Sequence, residues 1–264
     1  MEKYKSDPYN KNNKLIQIDD INNIMNSLNI KNFRVNNIKL YQTSFIHKSY
    51  CQLSEYKDFI NSNNYLNLQE NSYETMEFLG DSILEGIVCS YLYKRFYKIH
   101  HKNEGFLTRL KIRIVCGENL AKLSKDLNFQ KFLVLSKHTE ENCSGRENKN
   151  ILEDVFESFI GALYLDQYET NHKVVGTFII SIIEKYVDFT EILLKNNNYK
   201  DQIIRYYQQN YNLYPTYEHE KINNNYVCKL IFKNEIIGSC IGDSKKKSEQ
   251  NVSKKVLIKY NVIT

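Results

Sequence analysis

Apolar residues recur at helical spacing through the first three quarters of the chain. Ile18, Ile21, Met25 and Leu28, then Leu40 and Phe45, predict a mostly helical stretch from 18 to 50. From Tyr73 to Tyr97 the same period runs through Met76, Leu79, Ile83, Leu84, Ile87, Val88 and Leu92. A third helical pattern covers about 105–127, a fourth 150–166 and a fifth 172–194. Between them lie polar stretches: 1–17, read as a loose N-terminal tail, 51–72, read as a long loop, and 136–149. Up to this point the chain reads as all-α.

The period changes after Lys195-Asn196-Asn197-Asn198, a polar run behind an apolar helix end, so a linker is placed at 195–199. Residues 200–211 read as a helix. Strand-like runs follow at 216–222, 226–233 and 235–241, and 244–260 is helical again. The expected organisation is a helical domain over 18–194 and a small α-β-β-β-α domain over 200–264.

Composition narrows the class. Hydrophobic residues make up 42% and charged residues 25%, enough for a folded core. No run of 18 apolar residues is present, and residues 1–14 lack the apolar segment of a secretory signal. The six cysteines show no metal spacing and read as reduced thiols, so an intracellular, cytoplasmic protein is expected, in the host cytoplasm if the source is viral. Heavy use of Asn, Lys, Ile and Tyr is what codon bias in an AT-rich genome produces. The charge is uneven. Residues 200–264 hold 11 basic and 6 acidic side chains, whereas the preceding 199 hold 25 of each. A basic module on a neutral body suits a polyanion.

Two apolar helices carry acids on one face. Glu77 and Asp81 are four apart, and Asp154 and Glu157 are three apart. Packing the two helices together would gather four carboxylates that repel one another, and a hard divalent cation is the usual remedy. Such clusters support phosphodiester cleavage. Taken singly, each pair is also what an ordinary surface helix carries.

The surrounding residues resemble the ribonuclease III family. Tyr73-Glu74-Thr75-Met76-Glu77-Phe78-Leu79-Gly80-Asp81-Ser82 is similar to its signature. Phe45-Ile46-His47-Lys48-Ser49-Tyr50, Glu104-Gly105-Phe106-Leu107-Thr108 and Ile151-Leu152-Glu153-Asp154-Val155-Phe156-Glu157 resemble three further motifs in family order. The resemblance implies that Glu77, Asp81, Asp154 and Glu157 are metal-binding and catalytic. Glu157 would be a metal ligand and Asp81 would orient the attacking water. It implies Mg²⁺, with Mn²⁺ as a substitute. Glu74 would line the cleft and Glu104 would lie in a loop near the RNA. Phe78 would cross a homodimer interface, with plain helix core as its competing role. Gly80 and Gly161 stand mid-helix, where glycine costs about 1 kcal/mol against alanine, so close helix packing is expected there. Tyr73, Thr75 and Ile46 replace the family's usual Asn, Arg and Thr, which bears on substrate preference.

The C-terminal segment resembles a double-stranded-RNA-binding domain. Gly242-Asp243-Ser244-Lys245-Lys246-Lys247 looks like the entry to that fold's second helix, so Ser244, Lys245, Lys246 and Lys247 are the expected phosphate contacts. Asn223-Asn224-Asn225-Tyr226 lacks the family's Gly-Pro-x-His. Arg205 replaces a Glu, and Ser248, Val252, Ser253 and Val256 replace small alanines.

No GxxxxGK[ST] or GxSxG occurs, so neither a nucleotide cofactor nor acyl-transfer chemistry is expected. The expected fold is an all-α ribonuclease III-type domain followed by a small α+β RNA-binding domain. The expected activity is Mg²⁺-dependent cleavage of double-stranded RNA by a homodimer, leaving 5′-phosphate and 3′-hydroxyl ends. The alternative is a protein that binds and sequesters duplex RNA without cutting it, such as a silencing suppressor.

Overall fold

The computed structural model describes residues 6–171, 173–194 and 198–263, and the chain divides between Phe189 and Thr190 into two units. The helices of the first unit are α1 (Ile18–Ser27), α2 (Ile38–Thr43), α3 (Glu74–Leu92), α4 (Lys98–His100), α5 (Glu104–Ile114), α6 (Gly117–Asp126), α7 (Lys137–Asn142), α8 (Lys149–Gln167) and α9 (Lys173–Tyr186). α10 (Phe189–Leu194) spans the division. α11 (Tyr199–Tyr211), β1 (Thr216–Ile222), β2 (Asn225–Phe232), β3 (Glu235–Gly242) and α12 (Lys245–Lys259) follow. Residues 195–197 of the expected linker and His172 of the fifth helical pattern lie outside the described residues.

α8 is the axis of the first unit. Asn148 caps it by accepting from the Asn150 N–H. Its buried residues point in every direction, as expected of a helix enclosed on all sides. Phe159 is its hub, with ring centroids 4.8 Å from Phe129, 5.3 Å from Phe178 and 5.5 Å from Tyr41. α3 packs along α8, and α2, α6 and α9 pack against the same helix.

Three expectations are corrected. The 105–127 pattern is two helices. α5 stops at Ile114, whose carbonyl accepts from the Asn119 side chain at 2.7 Å, and Cys116 is extended before α6 begins. The 172–194 pattern likewise splits into α9 and α10. Residues 7–16 are no loose tail. Asn10 is 4% exposed and donates to the Leu135 carbonyl at 3.1 Å. Asn13 donates to that same carbonyl and accepts from the Leu135 N–H. Amide side chains here pair the buried backbone at Leu135, which composition alone does not reveal. The stretch 136–149 also holds a short helix, α7, capped by Ser136.

Asparagine has a backbone role as well. Of the eleven described non-glycine residues with positive φ, eight are Asn, and no described glycine has positive φ. Asn tolerates the left-handed region better than other side chains, so here it does the turn work usually left to glycine.

In the second unit the strands form one antiparallel sheet in the order β1-β2-β3. Asn223-Asn224 make the tight turn between β1 and β2, with Asn223 at φ 54°. α11 and α12 cover one face through Ile203, Tyr207, Cys228, Leu230, Val252, Val256 and Leu257. The bulk that replaces the family's alanines is accommodated locally: Val256 Cγ2 sits where a Cβ on Gly238 would lie 2.5 Å away.

Candidate active site

α3 and α8 cross with their backbones touching. A Cβ on Gly80 would collide with the Glu157 carbonyl, and one on Gly161 would lie 3.0 Å from the carbonyl carbon of Met76. Two glycines therefore set the helix separation. At the crossing, the acid-bearing face of α3 meets that of α8.

The electrostatics show how close the acids come. Glu157 is 9% exposed, and burial, then Asp81, Glu153, Glu77 and Asp154, push its carboxyl up to about 8. Burial, then Asp154, Glu74 and Glu153, push Glu77 up to about 7, against the opposing pull of Lys48. Asp154 is raised chiefly by burial, opposed by a hydrogen bond from Tyr73 and by Lys48. Asp81 is exposed on the same α3 face and contributes to the shift of Glu157. Glu77, Asp154 and Glu157 are thus each influenced by at least one acid of the other helix.

Oxygen donors carrying mutually unfavourable charge fit a hard divalent cation. A finished coordination shell is not present: among the described residues, no three of His, Cys, Asp and Glu are arranged to hold a metal ion. Repulsion between like charges favours rotamers that keep carboxylates apart.

Three neighbours received no role from the sequence. Glu153, beside Asp154, is raised by burial and then by Asp154 and Asp81. A Cβ on Gly117 would lie 2.5 Å from its carboxyl carbon, so glycine at the start of α6 makes room for it. Its signal was an acid inside the apolar run Ile151–Val155. Lys48 donates to Glu74 at 3.0 Å, which holds Glu74 below the usual carboxylate range. Tyr73 donates to Asp154 Oδ2 at 2.9 Å. His47 is not placed for proton transfer: burial, then Lys48, lowers it to about 4, and its ring caps a turn at Ser49.

Glu104 opens α5 as part of a helix, not a loop, and accepts from the Thr108 hydroxyl at 2.7 Å. Asn103 caps that helix through the Phe106 N–H, which is why the chain turns helical one residue earlier than the motif suggested. Phe78 is 79% exposed on α3, so plain core is not its role. A groove of about 610 Å³ lined by Ser82, Ile83, Gly86, Ile87, Tyr164, Tyr168 and Val175 contains none of the acids.

In the second unit, Ser244 caps α12 by accepting from the Lys247 N–H at 3.3 Å. Lys245, Lys246 and Lys247 are exposed on its first turn, with Lys245 Nζ 6.0 Å from the centre of the Tyr226 ring. A Cβ on Gly242 would lie 2.8 Å from Ser248 Cα, so the end of β3 runs tight against this turn. Arg205 pairs with Asp201 at 2.9 Å within α11.

Comparisons with known proteins follow this division. Residues 37–183, more than half of the chain, match the family described as ribonuclease-III-like, and residues 199–260 match the double-stranded RNA binding motif. A relative from Acanthamoeba polyphaga mimivirus named probable ribonuclease 3 is 38% identical over 202 residues, spanning 74% of this chain but 35% of that protein. A ribonuclease 3 from Halalkalibacterium halodurans is 34% identical over 230 residues, covering 84% of this chain and 79% of its own. A crystal structure of the nuclease domain of ribonuclease III from Campylobacter jejuni aligns at 25% identity and a TM-score of 0.48, covering 64% of this chain and 97% of that one.

Proposed function

The chain belongs to the ribonuclease III family, and on that premise we propose that it is a divalent-metal-dependent endoribonuclease that cuts double-stranded RNA. The observation that supports this is the crossing of α3 and α8, across which Glu77, Asp154 and Glu157 are each influenced by acids of the other helix. Residues 18–194 are assigned the cutting and 200–264 the grip on the duplex.

Glu77, Asp81, Asp154 and Glu157 would hold the cation, for which Mg²⁺ is the expected ion and Mn²⁺ a substitute. When bound, it supplies charge neutralisation at the phosphate and a more acidic water. Asp81 is the most solvent-open of the four and orients the water that attacks phosphorus. Glu157, the most enclosed of the four, would be a ligand of the ion. Hydrolysis with the 3′ oxygen as leaving group gives 5′-phosphate and 3′-hydroxyl ends. Glu74 lines the cleft, tethered by Lys48, and Glu104 lies toward the RNA.

Exposure of Phe78, one residue from Glu77, supports a homodimer in which this ring is covered by a second copy. Each copy then addresses one strand. Ser244 and Lys245–Lys247 meet phosphates at the N-terminus of α12, where free N–H groups favour anions. All six cysteines are free, which suits the reducing cytoplasm, and among the described residues no helix is long and apolar enough to cross a membrane.

The test is digestion of a long end-labelled RNA duplex with Mg²⁺ and with EDTA, beside Glu157→Gln. Short duplexes from wild type with Mg²⁺ alone support the assignment. Tight binding with no cutting under Mg²⁺ or Mn²⁺ would make the chain a duplex-sequestering protein instead.

A further inference from the structure

Tyr73 lies outside the four carboxylates, yet its phenol ends on one of them. The hydroxyl donates to Asp154 Oδ2 at 2.9 Å, joining the residue that precedes α3 to an acid on α8. The ring is 2% exposed and is held from three sides. Its own N–H donates to the Ile46 carbonyl at 2.9 Å. Its carbonyl accepts from Ser158 Oγ, and its ring packs on His47 with centroids 5.8 Å apart. The phenol therefore has little freedom to turn away.

A carboxylate with one oxygen engaged by a fixed donor offers the other oxygen to a cation. Outer hydrogen bonds of this kind orient metal ligands, and their loss commonly costs 10–100-fold in affinity. Resting on the nuclease reading above, we propose that Tyr73 is a positioning residue: its hydrogen bond to Asp154 Oδ2 fixes the orientation of the carboxylate that would help hold the divalent cation. The family's usual Asn is several atoms shorter and has no group that reaches where this hydroxyl lies.

The test is Mn²⁺ titration of the RNA-free full-length protein, followed by electron paramagnetic resonance. Wild type, Tyr73→Phe, Asp154→Asn and the double variant are compared, with thermal unfolding in EDTA as the check on folding. Tyr73→Phe keeps the ring and its packing. The expected result is an affinity about tenfold weaker for Tyr73→Phe, duplex-RNA binding unchanged, and most of kcat recovered at saturating metal. In the Asp154→Asn background the same substitution should shift affinity less than twofold. An affinity for Tyr73→Phe within twofold of wild type overturns the inference and leaves the nuclease reading standing, provided wild type cuts RNA. Wild type that binds Mn²⁺ but never cuts overturns that reading instead, and wild type that binds none overturns both.

Discussion

Gly80 touches the backbone of Glu157. A side chain at Gly80 would meet the Glu157 carbonyl oxygen, an atom that cannot rotate aside. Gly80→Ala must therefore separate α3 from α8 or distort them. Overpacking of a tight core costs about 1–3 kcal/mol, and a clash with backbone belongs at the upper end. We expect a clear drop in thermal midpoint and a larger proportional loss of cleavage, because the same separation spaces the carboxylates. Gly161→Ala, facing Met76, should behave alike, whereas Gly86→Ala, with nothing outside its own helix within 4 Å of the new methyl, should lose no stability. Because Gly86 is mid-helix with open space beside it, its alanine variant should gain up to about 1 kcal/mol. Thermal unfolding and duplex cleavage of the three variants check this.

The raised carboxyls give the fold a pH dependence with a definite sign. Glu157 leaves its ordinary 4.5 for about 8 and Glu77 for about 7. Between the unfolded and folded values the native state holds the extra protons. Metal-free stability from these groups is thus complete below about pH 4.5 and is lost as pH rises to about 8. Glu157→Gln removes one such group. In EDTA its melting point should match wild type near pH 4.5 and exceed it at pH 8.5. Cation binding needs the ionised carboxylates, so cleavage by wild type should rise from pH 6 to pH 8.

Phe78 is an apolar ring held in water unless a second surface covers it. Phe78→Ser should leave the stability of the dilute protein within about 0.5 kcal/mol of wild type, as exposed substitutions do. It should halve the mass seen by sedimentation and depress cleavage with it. An unchanged mass would remove Phe78 from the interface.

Lys245, Lys246 and Lys247 occupy the first turn of α12, where alanine is well tolerated by the helix. Replacing all three should weaken duplex binding regardless of sequence. The slope of log affinity against log salt should fall by about 1 for each phosphate that is no longer neutralised. Ser244→Ala acts differently. It removes the cap on Lys247 N–H and should cost about 1 kcal/mol of stability.

Much of this was legible in the residues. The periods of α3 and α8 and the alternation of the three strands are local signals, and they mark those elements to within a residue or two, except that the pattern runs on to Tyr97 where α3 stops at Leu92. The acid pairs at 77/81 and 154/157 are also local, and the mid-helix glycines pointed to a close crossing. What depends on distant partners was not legible. Tyr73 and Asp154 are 81 residues apart, and nothing in either segment announces their hydrogen bond. The break at Val115–Cys116 hides inside an unbroken apolar period, because a side chain further on, Asn119, pairs the end of α5. Asn10 and Asn13 looked like a solvated tail, because the backbone they pair with lies beyond residue 130.

The proposed active site joins acids of α3 and α8 around one divalent ion. Replacing Mg²⁺ with Fe²⁺ and adding ascorbate and peroxide cuts a polypeptide beside the bound iron. Two clusters of cuts are predicted, one around residues 77–81 and one around 154–157, both suppressed by excess Mg²⁺ and absent from Glu157→Ala. Cuts confined to one helix, or scattered cuts that Glu157→Ala does not change, would contradict the shared site.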